Sequence, residues 1–245
     1  YNGSDTYVHS DLNMTGNLLP ISVSHIYNSN TDDIYAEIYS GMNTGEKYHL
    51  NVQEILVFDD KIDKYKHYDS DGTLHYFYSV DDGEITHEYD PNQTLEEINS
   101  EFILSDAQGN KKFFNAKGQL YKIVDKNNNH QTIHFTDNKI TQIVDTVGRI
   151  VTLRYNQYDQ LEYIIDAAGR SIKYVYDSTE PTAYISEILY PDGEKITYTY
   201  SFGNLFTINS YDGSYCALTF SYSYYRGDRV STINHYDKTP ELIKL

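Results

Sequence analysis

The chain has 245 residues, with 36 Asp and Glu against 19 Lys and Arg and a formal net charge of −17. A surface so acidic repels a phosphate backbone and an anionic lipid face alike, which excludes nucleic acid and membrane insertion as expected partners. Tyr occurs 27 times and Trp never, with 39% hydrophobic residues, 14 Gly and 5 Pro, a strand-prone composition because aromatic and β-branched side chains fit a pleated, half-buried surface.

The single cysteine, Cys216, cannot close an internal disulfide, and no apolar run approaches the roughly 18 residues of a membrane span. The chain starts at Tyr1 with no basic stretch followed by an apolar core, so the expectation is a segment of a longer protein whose targeting signals lie elsewhere.

Ahead of residue 104 the turn signals are irregular. Asp69–Thr73 and Asp81–Glu84 are acidic and contain Gly, but counted from Asp69 the glycine falls too early for an EF-hand loop, and both stretches read as hairpin turns. Asp90-Pro91-Asn92 reads as a turn as well.

From there a repeat sets in. The corner residues Asn128, Gly148, Gly169, Gly193 and Gly213 are separated by 20, 21, 24 and 20 residues. Three, five and seven positions beyond them stand Gln131, Ile133, Phe135; Val151, Leu153, Tyr155; Ile172, Tyr174, Tyr176; Ile196, Tyr198, Tyr200; and Cys216, Leu218, Phe220. A spacing of two places each set on one face of a strand. The intervening residues, such as Thr152 with Arg154 or Thr197 with Thr199, are mostly polar and face the other way.

Thr136, Asn156, Asp177, Ser201 and Ser221 follow as turn initiators. The return limbs carry Leu120 and Ile123, Ile140 and Ile143, Leu161 and Ile164, or Leu205 and Ile208. A spacing of three leaves the face of a flat strand, so a bulge or strong twist is expected there. Asp125, Asp145 and Asp166, with Asp192 and Asp212 beside theirs, lead into the next corner. One such unit buries too little to stand alone: three large side chains contribute about 1.5 to 3 kcal/mol each, against about 1 to 2 kcal/mol per ordered backbone. The units must therefore stack.

Chemistry finds little support. His130 and His134 are four apart on a strand, roughly 13 Å along its axis and both outward, so a chelate from that pair is not expected. Glu96, Glu97 and the corner aspartates repeat as structure does, and spacing alone defines no glycosidase cleft. Cys216 occupies an inward position and reads as a buried thiol. Tyr222, Tyr224 and Tyr225 offer aromatic faces for sugar rings, whereas Arg226-Gly227-Asp228 is too short to specify a partner.

"YNQYDQLEYIIDAAGRSIKYVYD", Tyr155 to Asp177, with its Tyr-Asp, Leu-x-x-Ile, Asp-x-x-Gly-Arg and closing Tyr-x-Tyr-Asp, resembles the YD repeats of the Rhs family of bacterial polymorphic-toxin and wall-associated proteins, with more distant kin in the shell component of Tc toxins and in teneurins. Other units depart from the pattern: Tyr155 precedes Asn, Tyr200 precedes Ser, Phe135 precedes Thr, and Asn128 replaces the corner glycine. "DLNMTGNLLPISVSHIYNSN" from Asp11 and "GEKYHLNVQEILVF" from Gly45 are similar to the segments that lead into such repeats; Tyr68–Tyr78 and Leu104–Asp125 look like early, irregular hairpins.

The resemblance implies a β-strip that spirals into a shell, a variable C-terminal domain and an extracellular or cell-wall location. It also implies aspartate-dependent self-cleavage at the far end in full-length relatives, but no Asp-Pro-x-Gly boundary follows the repeats here.

The expectation is therefore an all-β array of antiparallel hairpins in a strongly curved sheet. Residues 1–103 would be lead-in strands and irregular hairpins, 104–237 repeats and 238–245 a tail, most simply as one structural domain. The expected role is non-enzymatic, without cofactor or metal, with the rest of its own parent chain as partner. The rival is a carbohydrate-binding surface built on Tyr222, Tyr224 and Tyr225. A partial spiral also leaves a strand edge for self-association, or a disordered end after Asp237.

Overall fold

The computed structural model describes residues 6–16, 18–29, 34–80, 84–212, 215–224 and 230–237, the last two spans as backbone. The lead-in comprises β1 (Thr6–Met14), β2 (Ile21–Asn28), α1 (Ile34–Ile38) and β3 (Tyr48–Leu50). Then follow β4 (Ile55–Asp59), β5 (Lys64–Tyr68), β6 (Leu74–Ser79), β7 (Ile85–His87), β8 (Thr94–Ile98), β9 (Glu101–Ser105), β10 (Lys111–Phe114) and β11 (Leu120–Val124). The remaining strands are β12 (His130–Thr136), β13 (Lys139–Asp145), β14 (Ile150–Tyr155), β15 (Leu161–Ile165), β16 (Ser171–Tyr176), β17 (Ile185–Leu189), β18 (Lys195–Ser201), β19 (Asn204–Asp212), β20 (Tyr215–Tyr224) and β21 (Val230–Asp237).

From β4 to β21 every strand pairs antiparallel with the next, so the boundary expected at residue 103 falls inside one continuous sheet. Among the described residues no register joins β21 to β4. The sheet rolls up instead through a bridge between Ile55 and Gln119, with Leu56 N donating to Gly118 O at 2.9 Å and Leu120 N to Glu54 O at 3.2 Å.

The three-residue spacing on the return limbs resolves as a bulge in each hairpin. Tyr155 pairs with Leu161 and Arg154 with Tyr163, which leaves Glu162 as the extra residue. The same shift falls before Phe114, Phe135, Tyr176 and Tyr200. The bulge turns both Leu161 and Ile164 to the dry side, where neither is exposed; Ile140, Ile143, Ile185 and Ile188 follow suit. Each such side chain contributes about 1.5 to 3 kcal/mol.

A bulge interrupts the ladder, and the next unit's tyrosine takes the carbonyl there. Tyr155 donates to Ile140 O at 2.8 Å, Tyr176 to Leu161 O at 2.9 Å and Tyr200 to Ile185 O at 2.7 Å, each 15 residues back. The tyrosine seven positions past the corner thus locks one hairpin onto its predecessor in these three units, for about 1 kcal/mol per hydroxyl.

The corners are sequence-encoded too. Asp166 Oδ1 accepts from Ala168 N and Arg170 N while Oδ2 meets the Arg170 side chain; Asp145 and Asp125 do the same with Arg149 and Asn129. Asn156 and Asn115 build an amide version with Gln160 and Gln119. Leu104–Asp125, expected to be irregular, therefore follows the regular geometry, because Asp106 forms the same corner with Asn110.

Three of the expected turn initiators are corrected: Ser221 lies inside β20, paired with Thr207 on one side and Asn234 on the other. Thr136 and Ser201 are the last paired residues of their strands, and two-residue turns at Asp137-Asn138 and Phe202-Gly203 reverse the chain with positive φ at both positions, the primed geometry that matches strand twist. Asp69–Thr73 and Asp90–Asn92 are turns, as their residues suggest, with Asp69 and Asp90 carboxylates accepting backbone amides. Asp81, Arg226-Gly227-Asp228 and residues 238–245 lie outside the described residues.

Of the inward residues, Ile133, Val151, Leu153, Ile172, Tyr174, Ile196 and Tyr198 are all buried. They pack on the chain's own lead-in, where β1, β2 and β3 form a separate small sheet. The chain from 38 to 47 touches successive hairpins in order: Ile38 O accepts from Gln119, Ser40 Oγ from Asn138, Asn43 N donates to Asp159 O, Glu46 N to Ala183 O, and Lys47 Nζ to Asn204 Oδ1. Pro20 O, Thr15 O and Asp11 do likewise for Gln131, Arg149 and Tyr174. A single lead-in thus laces hairpins far apart in sequence.

Candidate functional site

The densest polar constellation in the dry interior is centred on Asp11. In the β1–β2 pair, His9 stands opposite His25, and the register slips between Ser10 and Leu12, so that Asp11 is the extra, bulged residue. Bulges re-aim side chains, and this one buries the carboxylate completely. His25 Nδ1 lies 2.8 Å from Oδ2 and 3.0 Å from Oδ1, and His9 Nδ1 3.3 Å from Oδ1. Tyr174 donates to Oδ2 and Tyr190 to Oδ1, both at 2.6 Å. Behind them, His25 Nε2 lies 2.7 Å from the Tyr198 hydroxyl.

Burial pushes the Asp11 carboxyl up, but the ion pair and hydrogen bond with His25, together with hydrogen bonds from His9 and Tyr174, outweigh it and hold the carboxyl well below the usual range. Burial drives the Tyr174 and Tyr198 hydroxyls well above the ordinary tyrosine value, and the charge on Asp11 adds to it. The carboxylate is ionised, then, and both tyrosines are neutral, with Tyr174 donating to it.

Sequence reasoning passed over this centre, though signals existed. Ile133 and Leu153 hold the middle inward position of their units, whereas Tyr174 and Tyr198 bring hydroxyls to it. At the fourth corner Tyr190 takes the place that Asp125, Asp145 and Asp166 hold in theirs: Gly193 N donates to Tyr190 O. The side chain released from corner duty reaches Asp11. Asp192, which had been assigned to that corner, only accepts from Glu194 N.

A second histidine group lies on β5–β7. His67 Nε2 meets Glu54 at 2.8 Å, and Lys112 pairs with the same carboxylate. His75 Nε2 meets Asp69, its Nδ1 faces His87 Nε2 at 3.2 Å, and His87 Nδ1 accepts from Tyr89 N and Asp90 N. Every one of these nitrogens is spent on a protein partner except His67 Nδ1, which is buried without one among the described residues.

His49 is different. Stacked on Tyr35 at 4.3 Å, it has no hydrogen-bond partner on either ring nitrogen among the described residues. Burial lowers its pKa to about 3, with Asp69 opposing. The unfolded imidazole titrates near about 6.5. Between those values the unfolded state holds the extra proton, so stability falls with acidification by about 1.4 kcal/mol per pH unit. From pH 7 to 5 this group is expected to remove about 2 kcal/mol. Urea midpoints of wild type and His49→Phe at both pH values check it: the variant's pH slope should be smaller by that amount, and equal slopes would refute it.

The residues weighed from sequence are dispersed. His134 is exposed and His130 half-buried on β12, and Glu96 and Glu97 are exposed neighbours on β8. The side chains of Cys216, Tyr222 and Tyr224 and all of Tyr225 lie outside the described residues. A cleft of about 360 Å³ opens beside Gly41–Lys47, Tyr158 and Pro181, but no buried charge points into it as one does at Asp11.

No known protein-family model matches the chain, and no curated protein does. Solved structures resemble it in fold. Against the crystal structure of TcdB2-TccC3-TEV the TM-score is 0.39 with 12% identity, over 93% of this chain and 15% of that one. The N-terminal domain of effector protein SpvB from Salmonella typhimurium is similar over 94% of this chain and 100% of its own, with TM-score 0.36 and 8% identity. A porin-like protein from Bacteroides uniformis gives 0.33 and 11%, over 76% of this chain and 94% of that one. The chain spans about 15% of the first of these.

Proposed function

We propose that the chain is a non-catalytic wall segment of a secreted or cell-surface bacterial protein of the Rhs/YD-repeat kind, forming part of a β-shell that encloses or displays a toxin-like domain. The supporting observation is the ladder: each hairpin from β9 onward is held to the one before by strand pairing, and several by a tyrosine hydroxyl at a constant 15-residue interval. Such a construction extends by adding hairpins. The lead-in fills the concave face of this stretch, so any enclosed domain sits beyond it.

Growth at the β21 edge is testable. With a second copy of residues 171–189 appended through a flexible linker, backbone amides of Val230–Asp237 should exchange about tenfold more slowly. Unchanged exchange would count against the wall reading. Glycan-array binding lost in a Tyr224→Ala, Tyr225→Ala double variant would favour the carbohydrate module instead.

A further inference from the structure

We infer that His9, Asp11 and His25 form a binding site for a divalent transition-metal ion of zinc's class, set between the lead-in hairpin and the repeat wall. This goes beyond the wall function and does not depend on it.

The donor set comes first. One ring nitrogen each of His9 and His25 and a carboxylate oxygen of Asp11 lie within 4.8 Å of one another, and in both histidines Nδ1 is the atom that faces the carboxylate. The nitrogen-to-oxygen separations of 2.8 to 3.3 Å lie at and a few tenths of an ångström below the spacing of neighbouring donors around a small ion, since bonds of about 2.0 to 2.2 Å in a tetrahedron set donors roughly 3.3 to 3.6 Å apart, so a small parting of the side chains admits one. Two imidazoles and one carboxylate suit zinc, cobalt, nickel or ferrous ions rather than calcium or magnesium, which prefer all-oxygen shells.

The surroundings are those of a supported ligand set. A ligating histidine is ordinarily oriented by a partner on its other nitrogen, and a ligating carboxylate by further hydrogen bonds. His25 has the Tyr198 hydroxyl on Nε2, and Asp11 has Tyr174 and Tyr190. None of these contacts must break for an ion to enter. An ion would take the place of the hydrogens between the two Nδ1 atoms and the carboxylate, and His25 would then carry its proton on Nε2 with the Tyr198 oxygen accepting.

Access is open on one side. The His9 side chain is 32% exposed, while Asp11 and His25 are closed off. The Tyr190 hydroxyl lies 3.1 Å from His9 Nδ1, which places it beside the remaining coordination position together with solvent. Charge fits as well: among the described residues no lysine or arginine pairs with the buried Asp11 carboxylate, so no fixed cation stands beside it. The β5–β7 histidines lack this convergence, because His67 and His75 face two different carboxylates, Glu54 and Asp69, and His87 Nδ1 accepts from backbone amides.

The test uses the full chain stripped with EDTA. Co²⁺ should bind at one ion per chain, with visible d–d absorption that Zn²⁺ abolishes by displacement. Zn²⁺ should raise the melting temperature. His9→Ala, at the exposed edge and therefore expected to fold, should weaken Co²⁺ affinity at least tenfold and abolish the thermal shift, whereas His75→Ala should change neither. Absence of saturable binding overturns the inference. So does affinity that survives His9→Ala or falls instead in His75→Ala.

Discussion

Asp11→Ala should lower stability by about 3 to 5 kcal/mol, measured by urea unfolding at pH 7 in EDTA. The loss does not come from the carboxylate's own packing, which is small. It comes from what is stranded: the Tyr174 and Tyr190 hydroxyls and His25 Nδ1 all spend a hydrogen bond on the fully buried Asp11 carboxylate, and each buried donor left without a partner costs about 1 to 3 kcal/mol. Asp11→Asn keeps the volume and one acceptor oxygen and should cost distinctly less. Because the folded carboxyl is held below its unfolded value, the stabilisation is complete above about pH 4 and is lost as pH falls through the folded value. Below that the two proteins should converge. A wild-type-like urea midpoint for Asp11→Ala at pH 7 would show that the lead-in is not anchored through this centre.

Gly118→Ala should cost about 4 kcal/mol, far more than the same change at Gly169. Both glycines have left-handed backbones, with φ of +83° and +82°, so both replacements incur about 1 to 2 kcal/mol of strain. At Gly169 an added Cβ meets nothing within 4 Å. At Gly118 it would stand 2.4 Å from Leu56 O and 2.9 Å from Val57 Cγ1. A backbone oxygen cannot swing aside as a side-chain end can, so β4 must part from the β10–β11 tip, taking with it the Leu56–Gly118 and Leu120–Glu54 hydrogen bonds at about 1 kcal/mol each. Thermal or urea unfolding of the two variants side by side is decisive: equal costs would mean that this seam does not hold the roll closed.

Much of the wall was legible from residues alone. Alternation fixed the buried face of β14, β16 and β18, and Leu153, Tyr174 and Tyr198 are 3%, 2% and 4% exposed. The Leu161-x-x-Ile164 spacing called for a bulge, and one is there. Local signals sufficed because a strand's period, a five-residue corner and a hairpin are settled by neighbours in sequence. The site was not legible in this way. His9 and His25 are 16 residues apart, and Tyr190 lies 179 from Asp11, so nothing local hints that they meet. Even the clue at Tyr190, a corner without its aspartate, gains meaning only once the lead-in lies across it.

By itself, the sequence determined the unit: strand, turn, corner and a return limb that calls for a bulge or strong twist, whereas the tyrosine hydroxyl that reaches back 15 residues is seen only in the structure. Those features are short-range, and a repeated short-range pattern builds a ladder wherever it occurs. Only the tertiary structure decided that residues 9 to 47 lace that ladder from within, that Ile55 meets Gln119 to roll it up, and that a bulged aspartate ends between two histidines and two tyrosines. Those pairings form because the apolar face of one element must be covered by another, and the choice of partner rests on shape and hydrogen bonds that arise only when the whole chain has closed.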